Sequence, residues 1–198
     1  GQELPFALAL TPSLVETSEA GNGVGYAGFR IRGTEANRIN VTLDGIPLND
    51  AESQQVFWVD IPDLVSSVEN IQVQRGVGTS TNGAGAFGAS VNILTKSGTA
   101  EPYAGIISSF GSLNTFRTGA EAATGLLNNK FSFRMRVSEV KSDGYIMRTG
   151  SDNKSLFLSA GWRTSNSILK TNIILGREKT GISWWGVPAD SLGTNRRY

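Results

Sequence analysis

The chain has 198 residues, enough for one large domain or two small ones, and its formal net charge of +1 offers no one-signed field to steer it toward nucleic acid. It contains no cysteine and no histidine, which removes thiol nucleophiles, disulfides, most zinc sites and the commonest general base. No run approaches the ~20 apolar residues of a membrane helix, although β-barrels cross a membrane with a much weaker alternating signal.

The opening Gly1-Gln2-Glu3-Leu4-Pro5 has neither the basic start nor the apolar core of a signal peptide, so a mature or truncated polypeptide is expected. Residues 4–17 read as a short helical segment and a connection, with Leu4 and Leu8 on one side and Thr11-Pro12-Ser13 as a stop. Residues 16–28 read as a loop of small residues. Residues 29–33 form a short predicted strand whose Arg30 and Arg32, two apart, share a face. In residues 38–47 (RINVTLDGIP), Ile39, Val41 and Leu43 alternate with Asn40 and Thr42, and Asp44-Gly45 is a hairpin-type turn. An aromatic pair, Phe57-Trp58, follows among polar residues. Ile61-Pro62-Asp63 then starts a short predicted helix with Leu64, Val65 and Val68 toward a core.

Residues 68–75 alternate as a strand wet on one side, with Ile71 and Val73 on one face and Val68 out of step. A glycine-dense loop, residues 76–88, leads to a second apolar run, Val91 to Lys96. Gly83-Ala84-Gly85-Ala86-Phe87-Gly88 matches the G-x-G-x-x-G dinucleotide fingerprint, as does Gly23-Val24-Gly25-Tyr26-Ala27-Gly28. A true fingerprint follows a strand and opens a helix that holds the pyrophosphate. Here β-prone residues follow both matches, and 24 glycines in the chain make chance matches expected. The compact unit over residues 4–98 is therefore read as α+β, without a nucleotide.

The texture changes after Thr99-Ala100-Glu101-Pro102. Residues 131–140 put Phe131, Phe133, Met135 and Val137 on one face and Ser132, Arg134, Arg136 and Ser138 on the other; ten residues suit a tilted membrane-spanning strand. Residues 116–124, 155–164 and 169–175 repeat the scheme, and residues 103–110 do so poorly. Tight turns at residues 126–129 and 165–167 alternate with longer polar connections, as in an outer-membrane barrel. A soluble β-sandwich gives the same period. Arginine and lysine recurring on the polar face, and Trp162 near a strand end, favour lipid on the apolar side.

Taken in order, Phe29 to Gly33, Ile39 to Leu48, Val68 to Gly76 and Asn82 to Lys96 resemble the plug domain of TonB-dependent outer-membrane receptors. The departures are Val77 where the family often has proline, Asn82 where it has tyrosine, and Ala89-Ser90 near the final strand. The resemblance implies an α+β plug over residues 1–98, followed over residues 99–198 by antiparallel β-strands of a transmembrane β-barrel. About five strands are counted where plugged transporters have about 22. An open sheet of five would leave unpaired edges in hydrocarbon, so the chain is expected to be part of a longer protein.

The resemblance also implies active import of a scarce nutrient (siderophore-iron, corrinoid, haem, glycan or peptide) at the cell outer membrane. Its partners would be TonB, acting through a box upstream of residue 1, outer-membrane lipid, the substrate and a surface lipoprotein. The alternative is a passive channel or adhesion barrel with a vestigial plug. No enzymatic activity, cofactor, metal or nucleic acid is expected. Arg32 and Arg75 resemble arginines that anchor a plug to carboxylates of the barrel wall. Asp44 and Gly45 are expected to be a structural turn, since an isolated carboxylate makes a poor metal site. Two apical loops supply the substrate-contact candidates: Asp50, Ser53, Gln54, Gln55, Phe57 and Trp58 in one, Thr79, Ser80, Thr81 and Asn82 in the other. Phe57 and Trp58 read equally well as core. Trp184-Trp185 suits a binding platform or an interfacial anchor.

Overall fold

The computed structural model describes residues 2–77, 86–185, 188–191 and 193. Two bodies of structure lie against each other. The first opens with a one-turn helix, α1 (Leu4–Ala7), begun by a proline whose missing N–H is no loss in a first turn. Strands β1 (Leu14–Ser18) and β2 (Ala27–Ile31) form an antiparallel pair. Strand β1 corrects the reading of that stretch as connection and loop: Leu14, Glu16 and Ser18 pair with Ile31, Phe29 and Ala27, so tertiary partners make a strand of a weak local signal. Strand β2 stops at Ile31. Arg32 lies beyond it with φ 52°, so the shared face expected for Arg30 and Arg32 is lost.

A four-stranded sheet completes this unit, in the order β4-β3-β6-β5, from β3 (Ile39–Leu43), β4 (Ile46–Pro47), β5 (Val68–Arg75) and β6 (Ala89–Thr95). Between β3 and β4, Asp44 (φ 51°) and Gly45 (φ 84°) both take the left-handed conformation. That is what a two-residue hairpin turn demands, and Asp-Gly supplies it at small cost. Strand β6 runs parallel to β3 and antiparallel to β5. Holding a central place, it is buried along most of its length, with Leu94 the exposed exception. The out-of-step Val68 is explained by a bulge between Val68 and Asn70 in the pairing of β5 with β6. The helix expected after Asp60 is a single 3-10 turn, Leu64–Ser67, and Val68 already belongs to β5. Both glycine fingerprints are followed by strands, β2 and β6, so neither has the helix a pyrophosphate requires.

This unit has its own core: Leu4, Leu8, Leu14, Phe29, Ile31, Ile39, Val41, Leu43, Trp58, Leu64, Ala89, Val91 and Ile93. Trp58 sits with its ring centroid 5.8 Å from that of Phe29.

The second body is one antiparallel meander of β7 (Pro102–Phe110), β8 (Phe116–Thr124), β9 (Phe131–Ser142), β10 (Ser151–Arg163) and β11 (Ile168–Thr180), each paired with the next. The strands carry 9 to 13 residues, against ~9–11 needed to cross a bilayer at a tilt. Phe131, Phe133, Met135, Val137, Leu169, Ile173 and Leu175 are exposed on the face turned away from the first unit. Arg134, Arg136, Ser138, Asn153, Ser155 and Ser159 are buried on the face turned toward it. A sandwich would bury the apolar face under a second sheet; here it stands open, as lipid-facing residues do. No described helix is long and apolar enough to cross a membrane, which says nothing against crossing by strands.

Candidate functional site

The seam between the two bodies is the site from which any movement of one against the other must start. Its centre is Asp63, placed by the 3-10 turn it caps with φ 52° and 3% exposed. Its Oδ2 accepts from Arg136 Nη1 at 2.5 Å, from the Ser138 hydroxyl at 2.6 Å and from Arg117 Nη2 at 3.3 Å. Its Oδ1 accepts from Ser66 at 2.6 Å. Arg136, also 3% exposed, donates in addition to the Asp63 carbonyl, Ser67 and Ser155. Arg117 donates to Ser66 as well. Burial alone would push the Asp63 carboxyl up; the Arg136 guanidinium, the Ser138 and Ser66 hydroxyls and Arg117 outweigh it and hold the group below the usual carboxylate range. A buried ion paired with an opposite charge and hydrogen-bonded at both oxygens is the condition under which desolvation is offset. Beside it, Arg134 pairs with Glu121 within the wall at 2.8 Å.

A second anchor uses the hairpin turn. Asp44 accepts from the Thr95 backbone N–H at 2.9 Å and hydroxyl at 2.7 Å, and from Lys170 Nζ at 3.2 Å and Asn172 Nδ2 at 2.6 Å. Partial burial raises the carboxyl, but the Thr95 bonds and Lys170 prevail and keep it below its ordinary value. Asp44 and Gly45 thus form the expected turn, and the turn also presents a carboxylate to β11.

The resemblance implies plug arginines meeting wall carboxylates. Among the described residues two further anchors of the opposite polarity join the units: the carboxylates Asp63 and Asp44 come from the first unit, and Arg117, Arg136 and Lys170 from the strands. The signal was present, because arginines alternating onto the inward face of β9 need a buried acid. Of the residues proposed as anchors, Arg75 gives its guanidinium to the Pro12 carbonyl at 3.3 Å within its own unit, and Arg32 lies exposed in a left-handed turn. Neither forms an ion pair with the five described wall strands.

Among the substrate-contact candidates, Trp58 is 4% exposed and belongs to the core, as the alternative reading had it. Phe57 and Gln55 are half-buried beside it. Asp50 caps its own loop by accepting from Ser53 N–H at 2.7 Å, Ser53 Oγ at 2.9 Å and Glu52 N–H at 3.1 Å. Asn49 stitches that loop to β3 through the Val41 N–H and the Ile39 carbonyl, and donates also to the Gln54 carbonyl. Gln54 has φ 59° and an exposed side chain. Thr79, Ser80, Thr81 and Asn82 lie outside the described residues.

A plug-sized α+β unit held by polar side chains against a tall, outwardly apolar meander is the arrangement of a corked barrel. The sequence profile of the TonB-dependent Receptor Plug Domain matches residues 2–90. What the match shows is a plug domain of the TonB-dependent receptor type over those residues. The chain is 26% identical over 202 residues to the ferrienterobactin receptor of Escherichia coli K12, covering 94% of this chain and 26% of that protein. The unliganded ferric citrate transporter FecA superposes with TM-score 0.76 at 18% identity, over 100% of this chain and 32% of that one. The copper transporter OprC superposes with TM-score 0.76 at 16% identity, over 94% and 29%. At these identities the structural likeness shows the fold. The chain spans about a third or less of the relatives it matches. It is a plug with the first strands of an outer-membrane barrel.

Proposed function

We propose that the receptor of which this chain is part imports a scarce nutrient by energised displacement of its plug, and performs no chemistry on it. The supporting observation is the chemistry of the seam. The plug carries its own apolar core, to which the wall adds Ile174, and beside the buried Phe157 and Val140 of the wall the seam is made of ion pairs, hydroxyls and amides. Such contacts can be exchanged for water as the plug moves, whereas tearing an apolar interface would expose ~25 cal/mol for every Å² uncovered. A permanently sealed barrel would gain nothing from this arrangement.

The energising partner in this reading is TonB, engaging a segment upstream of residue 1. Arg32 and Arg75, exposed at one side of the plug, meet carboxylates of later wall strands. The substrate class that has most support is a ferric chelate, since the ferrienterobactin receptor and the ferric citrate transporter are among the similar proteins. Residues 49–58 and the glycine-rich loop after β5 offer amides, hydroxyls and Phe57 to its face. The test is radiolabelled ferric-siderophore uptake by cells whose only such receptor is the full-length protein. Uptake should vanish when the TonB system is deleted; uptake that persists at the same rate sinks energised import and leaves a passive channel.

A further inference from the structure

At the end of the seam nearest the longer loops, the wall and plug bring together more acceptors than donors. Glu3 is 2% exposed, and its Oε1 accepts from Asn153 Nδ2 at 3.3 Å. Its backbone N–H donates to the Gly23 carbonyl at 2.7 Å, which ties this first segment to the loop between β1 and β2. Asn153, also 2% exposed, stands directly opposite Glu178 in the register of β10 and β11. The two side chains therefore leave the sheet on the same, plug-facing side with Cβ atoms about 5 Å apart. Asn153 Oδ1 and both Glu178 carboxylate oxygens are buried and have no hydrogen-bond partner. Gly25 closes over the same spot. A Cβ there would lie 3.6 Å from Glu178 Oε1 and would overlap the Ser151 and Thr180 hydroxyls, so only glycine lets the plug backbone come this near.

No lysine or arginine forms an ion pair with Glu3 or Glu178 among the described residues. The strongest charges acting on Glu3 are themselves acidic, Glu178 and then Asp63. An unpaired buried carboxylate costs several kcal/mol, and here two neighbour Asn153, whose own amide oxygen has no donor. One shared proton would serve one pair of oxygens and leave the rest bare. A water molecule brings two donors and no charge. A hard cation takes six to eight oxygens, including bidentate carboxylate, amide carbonyl, hydroxyl and water. The donor set is all oxygen and has no soft ligand, and its carboxylates come from distant segments, which suits calcium better than the small, rigid shell of magnesium.

We propose that Glu3, Asn153 and Glu178 bind one hard divalent cation of the calcium class, which clamps the first segment of the plug to β10 and β11. The bound ion joins parts of the chain 150 and more residues apart, next to the segment through which a pull from upstream reaches the plug core. The site goes beyond the transport reading and its test contains no uptake step, so either can fail alone.

The experiment uses the full-length receptor in detergent, stripped with EDTA and titrated with calcium by calorimetry, with thermal unfolding followed in parallel. The wild type should bind calcium and unfold at higher temperature with it. Glu178→Gln should weaken that binding by about tenfold or more, and Asn153→Asp, which adds a third charge, should tighten it, since charge count tunes such sites. Wild type that neither binds calcium nor responds to it overturns the site. So does a Glu178→Gln protein with wild-type affinity. If Glu178→Gln does not fold, an Asn153→Asp affinity equal to wild type overturns it instead. A midpoint blind to calcium but raised by acid assigns the pair to a shared proton, which also overturns the proposal.

Discussion

Two plug carboxylates, Asp63 and Glu3, are buried almost equally against the same wall, at 3% and 2% exposure, yet their surroundings are opposite. Asp63 faces two guanidinium groups and a cluster of hydroxyls, so both carboxylate oxygens have donors. Glu3 faces one amide and a second carboxylate. The difference teaches that burial alone does not say what an ionisable group does. The donors around it decide whether it is a finished anchor or half of one. Asp63 is complete in the protein by itself, whereas the Glu3 corner is completed by a positive species from solution.

Breaking the finished anchor should give the largest effect. Arg136→Ala leaves Asp63 buried without its main partner and should cost about 3–5 kcal/mol, the usual loss when one member of a buried pair is removed. The check is the unfolding midpoint of the full-length receptor, together with protease cleavage of the plug. A sharper version is the double change Asp63→Asn with Arg136→Met, since asparagine tolerates the left-handed conformation at position 63 and still accepts from the neighbouring hydroxyls. Removing both charges should recover part of the loss, and a double variant as damaged as the single one would show that the pair is needed for more than charge balance.

Acid and base should then separate the two carboxylates. Burial first, with Glu178 and Asp63 adding to it, pushes Glu3 up to about 9 from 4.5. The folded protein therefore holds a proton there that the unfolded chain has lost, and in calcium-free buffer stability should fall as pH rises from 4.5 toward 9. Asp63 has the reverse sign. Its carboxyl is held below the ordinary 3.8, so its contribution is present above that value and is lost as pH falls through the lower, folded one. Unfolding midpoints across this range, with and without calcium, would show both slopes. Glu3→Gln should flatten the upper one toward its pH 9 end and leave the lower intact.

The smallest effect belongs to the half-exposed anchor at Asp44. Asp44→Asn keeps a residue that tolerates the left-handed conformation of the turn and removes only the charge facing Lys170. A loss of about 1–2 kcal/mol is expected, in the range for a hydrogen bond to a charged group, measured by the same thermal unfolding. A loss as large as that of Arg136→Ala would mean the two anchors act as one cooperative unit.

Much of the fold was legible in local pattern. The two-residue period set the faces of β9, β10 and β11 because a strand side chain can only point inward or outward, and the apolar side had to be the one without water. Asp44-Gly45 announced its turn because few residue pairs accept two left-handed conformations. The strand Leu14–Ser18 was not legible, since Ala27–Ile31 supplies its partner and its own residues do not insist on being extended. Trp58 was ambiguous in sequence, because an aromatic ring suits a core as well as a ligand, and only packing on Phe29 places it.

The sequence by itself determined the division into a glycine-rich α+β plug and a wall of alternating strands, because those properties reside in neighbouring residues and their period. Tertiary structure alone decided which charges meet. Asp63 and Arg136 are 73 residues apart, Asp44 and Lys170 are 126, and Glu3 and Asn153 are 150. No local preference carries information over such separations. Pairing at that range is set by the register of the strands and by the cost of burying a charge alone. The arginines of β9 showed that an acid was required; the folded seam showed that it was Asp63.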